Sequence, residues 1–245
     1  MRLATTTSTE NSGLLDAILP AFTRETGIGV DVLAMGSGKA LATARNGDCD
    51  LVLAHAPALE RAFVDEGHGV SRTLVMVNDF VLVGMESDPA QIRGKEDAAA
   101  ALAAIAAGTH AFCSRGDASG THEKERELWA AASVLPAGAW YRSTGQGMGE
   151  TLRVAWEMQA YTLADRGTWL KMKSQFPGME VLVEGEARLD NPYHLILVNP
   201  ARHPYVRAAA ARRLLAWMTG REGQRLIAEY RVGGVVLFRP RPAGG

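Results

Sequence analysis

Short apolar runs alternate with longer stretches of helical period along most of this chain, the pattern of an α/β protein. Strands are predicted at 3–6, 28–34, 51–54, 74–77, 80–84, 110–114, 161–163, 181–183 and 194–198. Helices are predicted at 12–26, 39–46, 59–66, 96–107, 122–132, 148–159, 166–173, 205–218 and 222–230. In the first helix Leu14, Leu15, Ile18, Leu19 and Phe22 share one face, and Gly27 is a good terminator. Pro20 lies inside that stripe and is expected to kink or locally open the helix. Gly47, Gly67 and Gly108 punctuate later helix ends, and the alanine-rich stretch 98–107 is helix-prone rather than low-complexity. The final Arg239-Pro240-Arg241-Pro242-Ala243-Gly244-Gly245 reads as a frayed tail. Neither an internal repeat nor a long linker is present, so two lobes must be joined by strand-like crossings. Phe80 and Glu184-Gly185-Glu186 are the plausible crossing points. They give lobe I as 1–79 plus 185–245 and lobe II as 80–184.

With 245 residues and 47% hydrophobic content, the chain can bury a core large enough to be shared between two lobes. Basic and acidic residues balance, 26 against 27, which gives no electrostatic footprint for nucleic acid. No apolar run approaches the roughly 20 residues that cross a bilayer. The N-terminus shows no charged-plus-apolar leader, so the protein is either cytosolic or exported with its leader removed. Cys49 and Cys113 each sit in or beside an apolar run and are read as buried thiols, too few for a structural zinc site.

Chemistry concentrates in three loops, each between a strand and a helix. The octapeptide Ser114-Arg115-Gly116-Asp117-Ala118-Ser119-Gly120-Thr121 joins an apolar strand to a helix start. Such a start has unpaired N–H groups and a positive dipole end that attract anions. Arg115 adds fixed charge, Ser119 and Thr121 add hydroxyls, and Gly120 lets backbone come close. Thr5-Thr6-Thr7-Ser8-Thr9 supplies five successive hydroxyls at the carboxyl end of the first strand, where ligands bind in doubly wound sheets. Alternate side chains face opposite ways near a strand end, so the run itself leaves open which residues point to a ligand. Met35-Gly36-Ser37-Gly38-Lys39 places one hydroxyl between glycines and lacks the spacing of a P-loop. Each loop also has a plain reading as a helix cap or tight turn. Only Asp117 among them is acidic, and it is well placed to hold Arg115 as a partner. A tetrahedral oxyanion suits hydroxyls, amides and one guanidinium. Thr144-Gly145-Gln146-Gly147-Met148-Gly149 is read as a connector, since its glycines match no dinucleotide fingerprint.

These loops resemble those of the tungstate-binding substrate-binding proteins of ABC transporters. The resemblance also rests on Asn11-Ser12-Gly13-Leu14-Leu15, Asn78-Asp79-Phe80-Val81, Gly145-Gln146-Gly147-Met148-Gly149, the stretch 160–168 and Asn191-Pro192-Tyr193, nearly end to end. It implies a type II periplasmic binding protein fold, two α/β lobes joined by two hinge crossings, closing on one tungstate or molybdate. On that pattern Thr6, Ser37, Arg115 and Thr121 are donors to the anion, with Thr7, Ser8, Ser119 and Gly120 adding side-chain or backbone contacts. The resemblance further implies a periplasmic location, delivery to a membrane permease and no cofactor; the protein is expected to act as a monomer. Lys39 stands where an uncharged residue is expected.

Two other classes were weighed. An enzyme with Ser119, His122 and Asp117 as nucleophile, base and orienting acid lacks a nucleophile elbow, and His122-Glu123 lacks a metalloprotease's second histidine. His55 and His68 are isolated and read as surface or half-buried residues. An intracellular oxyanion sensor would need a DNA-binding or signalling partner region, and none is expected in this sequence. Among anions phosphate is the nearest alternative, because the Arg115–Thr121 loop also resembles that of phosphate-binding proteins. Phosphate, which keeps a proton at neutral pH, benefits from a carboxylate acceptor, whereas tungstate, molybdate and sulfate do not.

Overall fold

In the computed structural model, which describes residues 1–117 and 119–241, the chain opens with strand β1 (Arg2–Thr6), helices α1 (Thr7–Ser12) and α2 (Leu14–Thr26), and β2 (Asp31–Met35). Then come α3 (Ser37–Arg45), β3 (Leu51–Ala54), α4 (Pro57–Asp65) and the long strand β4 (Gly69–Met85). The middle of the chain holds α5 (Ala98–Ala107), β5 (Phe112–Ser114), α6 (Gly120–Ala131), β6 (Tyr141–Ser143), α7 (Met148–Glu157), β7 (Tyr161–Asp165) and α8 (Arg166–Met172). The last part comprises β8 (Met179–Val183), β9 (Asp190–Val198), α9 (Ala208–Thr219), α10 (Arg221–Glu229), β10 (Arg231–Val232), β11 (Val235–Val236) and β12 (Arg239–Pro240).

Two units result: Met1–Asn78 together with the segment from Pro192 onward, and Asp79–Asn191. In the first, β1 lies between β2 and β3, all parallel, and β9 runs antiparallel beside β3. Parallel pairing aligns the carboxyl ends of three strands, so the loops after residues 6, 35 and 54 emerge on one edge. Helix α2 buries Leu14, Leu15, Ile18, Leu19 and Phe22, and Phe22 meets Trp217 of α9 edge-on at 5.6 Å. Full burial of each such side chain is worth about 1.5–3 kcal/mol. In the second unit β5 lies between β6 and β7, all parallel, and the later half of β4 pairs antiparallel with β7 and β8. Its core gathers Phe112, Trp129 and Leu128 with the partly buried Trp140 and Tyr141.

Several boundaries differ from the sequence reading. The threonine run is the cap and first turn of α1 rather than a loop, and Gly13, at φ +80°, separates α1 from α2. Helix α2 continues through Pro20 without interruption, buried side chains on both sides of it holding the helix. The segments 74–77 and 80–84 are one strand, because the polar Asn78-Asp79 pair lies within β4 instead of breaking it. Unit two extends past 184–186 to Asn191, since Glu186 accepts from the amide of Ala98, Arg188 pairs with Asp97 and Leu189 is buried. Strand β6 went unforeseen: three half-buried or exposed residues carry no apolar pattern. Arg239–Pro240 is not frayed but pairs with Val77 and Met76, anchored by the buried Leu237 and Phe238. Residues 242–245 of that tail, like Ala118, lie outside the described residues. Both cysteines are buried and unbridged, and burial pushes the Cys49 thiol up to about 12 and that of Cys113 to about 11.

Glu125 of α6 is buried in the second unit and accepts from Tyr141 Oη (2.7 Å) and Trp129 Nε1 (3.1 Å). Burial raises its pKa above the ordinary 4.5, only partly opposed by the hydrogen bonds of Tyr141 and Trp129. A raised folded-state value means that this carboxyl favours the fold below its ordinary pKa, and that the benefit disappears as pH rises through the folded value. Thermal unfolding across that window is expected to show a decline in the melting temperature that Glu125→Gln flattens. An unchanged pH profile in the variant would show that Glu125 stays ionised at no cost.

Candidate functional site

The first unit gathers hydroxyls at its aligned strand ends. Thr6, the last residue of β1, is the N-cap of α1 and accepts from Thr9 N at 3.2 Å. Its Oγ1 also lies 2.6 Å from Thr9 Oγ1, 3.0 Å from Ser8 Oγ and 3.0 Å from His55 Nε2. His55 Nε2 is in turn 3.2 Å from Ser8 Oγ. Thr5 is turned into the sheet, where its hydroxyl donates to Leu53 O at 2.9 Å. Thr7 is exposed and Ser8 half-buried at the start of α1. Ser37 opens α3 two residues beyond Met35, the register partner of Thr6. Gly36 caps that helix with no side-chain bond, and a Cβ on Gly36 or Gly38 would meet nothing within 4 Å. The first-turn amides of α3 have no acceptor in their own helix. Lys39 is exposed beside them.

In the second unit the peptide after β5 turns at Gly116, whose φ is +61°. A Cβ there would lie 1.7 Å from Ser143 Oγ and 2.9 Å from Ser143 Cβ, so only glycine allows the close approach to β6. Thr144 donates to Ser114 O through its backbone (2.9 Å) and its hydroxyl (3.0 Å), and Gly145 N donates to Arg115 O at 2.8 Å. The stretch read as a connector thus anchors the arginine loop and satisfies the carbonyls of residues 114 and 115, which would otherwise oppose an anion.

Arg115 pairs with Asp117 through its NH2 group, as the sequence led us to expect. Its Nε is buried and without a hydrogen-bond partner among the described residues. Asp117 also accepts from Ser119 N at Oδ1 (3.2 Å) and from the Ser119 hydroxyl. Burial works against this carboxylate, but the bonds from Ser119 and the charge of Arg115 outweigh it and hold its pKa below the usual aspartate value. Ser119 is the N-cap of α6, with His122 N donating to its Oγ at 3.3 Å. Its hydroxyl is therefore engaged with Asp117 and the cap. Gly120 and Thr121 form the first turn of α6, where their amides have no acceptor in the helix.

The structure thus brings Thr6, Thr7, Ser8 and Ser37 to one edge of the first unit, and Arg115, Ser119, Gly120 and Thr121 to one turn of the second. Sequence reasoning missed His55. It is buried, not a surface residue, and stacks on Tyr193 with ring centroids 4.5 Å apart. Its position just after a strand parallel to β1 was the signal that could have found it. Among the described residues no group of three or more His, Cys, Asp or Glu could hold a metal ion, and no helix is long and apolar enough to cross a membrane.

A PBP superfamily domain model matches residues 2–222. The tungstate-binding protein TupA of Peptoclostridium acidaminophilum is 45% identical over 98% of this chain and 85% of its own. Among solved structures, a tungstate-binding TupA from Desulfovibrio alaskensis G20 is 45% identical with a TM-score of 0.93, covering 98% of both chains. A tungstate ABC transporter structure from Geobacter sulfurreducens is 46% identical with a TM-score of 0.85, covering 94% of this chain and 98% of that one.

Replacing Gly116 with alanine forces a left-handed backbone on a residue with a Cβ, at a cost of about 1–3 kcal/mol, and pushes Ser143 aside. Chemical denaturation is expected to show a loss of that size; stability equal to wild type would mean that the loop relaxes freely.

Proposed function

From the premise that this chain belongs to the PBP superfamily, in the TupA family of tungstate-binding proteins, we propose that it captures a tungstate or molybdate dianion for delivery to an ABC transporter permease. In this reading it acts in the periplasm, without chemical turnover, and one oxyanion receives donors from both units. Arg115, the first-turn amides of Gly120 and Thr121 and the Thr121 hydroxyl serve from the second unit. Thr6, Thr7, Ser8 and Ser37 serve from the first, while Ser119 acts mainly by holding Asp117.

The observation that carries this reading is the buried Nε of Arg115. A guanidinium N–H withheld from both water and protein costs about 1–3 kcal/mol or more, a cost that an oxyanion acceptor removes. Pairing with Asp117 keeps the site's net charge low, so much of the dianion's charge is met by N–H and O–H dipoles. An unprotonated anion also fits better than phosphate, because both Asp117 oxygens are already turned to Arg115 and Ser119.

Competition calorimetry with tungstate, molybdate, sulfate and phosphate tests the proposal. Tungstate or molybdate is expected to bind most tightly. Arg115→Ala should weaken binding by roughly ten- to a hundred-fold, the value of a charge-assisted bond, and Thr6→Ala by less. A phosphate preference overturns the ligand assignment, and unchanged tungstate affinity in Arg115→Ala removes Arg115 from the site.

A further inference from the structure

His55 has no part in the set of donors above, yet the first unit fixes it from several sides. On one side of it, Ala54 is registered against His194 of β9. On the other, Ala56 N donates to Glu60 Oε1 at 2.7 Å. Glu60 is fully buried and is itself held by Arg72 Nε at 2.9 Å, with His194 Nδ1 at 3.0 Å from its Oε2. The His55 ring stacks on Tyr193, whose own ring meets the buried Phe238 edge-on at 5.4 Å. A buried ion-pair network and two aromatic contacts thus restrain a single imidazole whose Nε2 touches the hydroxyls of both Thr6 and Ser8.

The hydroxyl chemistry gives that restraint a purpose. A hydroxyl has one hydrogen and two lone pairs. Four groups surround Thr6 Oγ1: the amide of Thr9, the hydroxyls of Thr9 and Ser8, and His55 Nε2. An acceptor at Nε2 would draw the hydrogen of Thr6 or Ser8 toward the ring and present oxygen lone pairs to an approaching anion. With a donor there, both oxygens accept from the ring; Thr6, which also accepts from Thr9 N, turns its hydrogen to a neighbouring hydroxyl, and the Ser8 hydrogen is free to turn outward. We propose that His55 is a positioning residue that donates from Nε2–H to the Thr6–Ser8 hydroxyl pair, keeping both hydroxyl hydrogens off the ring and leaving that of Ser8 for a fully deprotonated oxyanion. The same arrangement disfavours a protonated ligand, because an outward hydroxyl hydrogen needs an acceptor and is repelled by a ligand O–H. This assignment rests on the proposed oxyanion function and names what sets its selectivity in the first unit.

Two measurements test it on the full chain with tungstate. Long-range 1H–15N correlation spectra of the tungstate complex should show His55 with its hydrogen on Nε2; a neutral ring protonated at Nδ1 alone overturns the proposal. Calorimetry should show His55→Phe, which keeps the stacked ring, weakening tungstate at least tenfold and narrowing the preference for tungstate over phosphate. His55→Gln, which restores an N–H donor, should recover most of the loss. Binding by His55→Phe within twofold of wild type, or equal losses in both variants, contradicts a donor role. Arg115→Ala measured alongside separates the two ideas: if it weakens binding while His55→Phe does not, only the role of His55 fails. If neither variant weakens binding, the oxyanion reading fails with it.

Discussion

A guanidinium held on one side by a carboxylate and left open on the other is the interaction on which this account depends. Arg115 is tied to Asp117, Asp117 is tied to Ser119, and the turn carrying them is fastened to Thr144 and Gly145. Every link leaves Nε buried without a partner among the described residues. A flexible arginine would find water or a carbonyl for that N–H. The restraints keep it available, which is preorganisation in the strict sense: the ordering cost is met in folding and not in binding.

In the proposed site the first unit has a complementary task, that of presenting neutral donors. Aligned parallel strands place the start of α1, the start of α3 and His55 along one edge. Hydroxyls are ambivalent, and a cluster of them recognises an anion only when surrounding groups determine which way the hydrogens point. Under the proposed function, neutral donors matched to a dianion would also allow release, since a pocket of full positive charges would hold the ligand too firmly to deliver it.

Much of this was legible in the sequence because the loops carry unusual residue types: five successive hydroxyls, a serine between glycines, an arginine two residues before an aspartate. Their alternation with apolar runs sufficed for an α/β architecture. What escaped had a physical reason in each case. His55 carries no local signal, since its importance comes from a strand that neighbours β1 only in space. The 144–149 stretch looked like a connector because backbone hydrogen bonds, which any residue can make, define its role. Asn78-Asp79 resembled a strand break, since polarity is read as exposure, whereas Asn78 is buried within β4. The β12 pairing depends on Leu237 and Phe238 reaching the core from a segment whose prolines suggest a tail.

The most direct test is the structure of the tungstate complex, with tungsten located by its anomalous scattering. One tungstate per chain is expected, with an oxygen accepting from Arg115 Nε and, in the same molecule, another accepting from the Thr6–Ser8 hydroxyl pair. A bound tungstate that leaves Arg115 Nε without an acceptor would contradict that expectation.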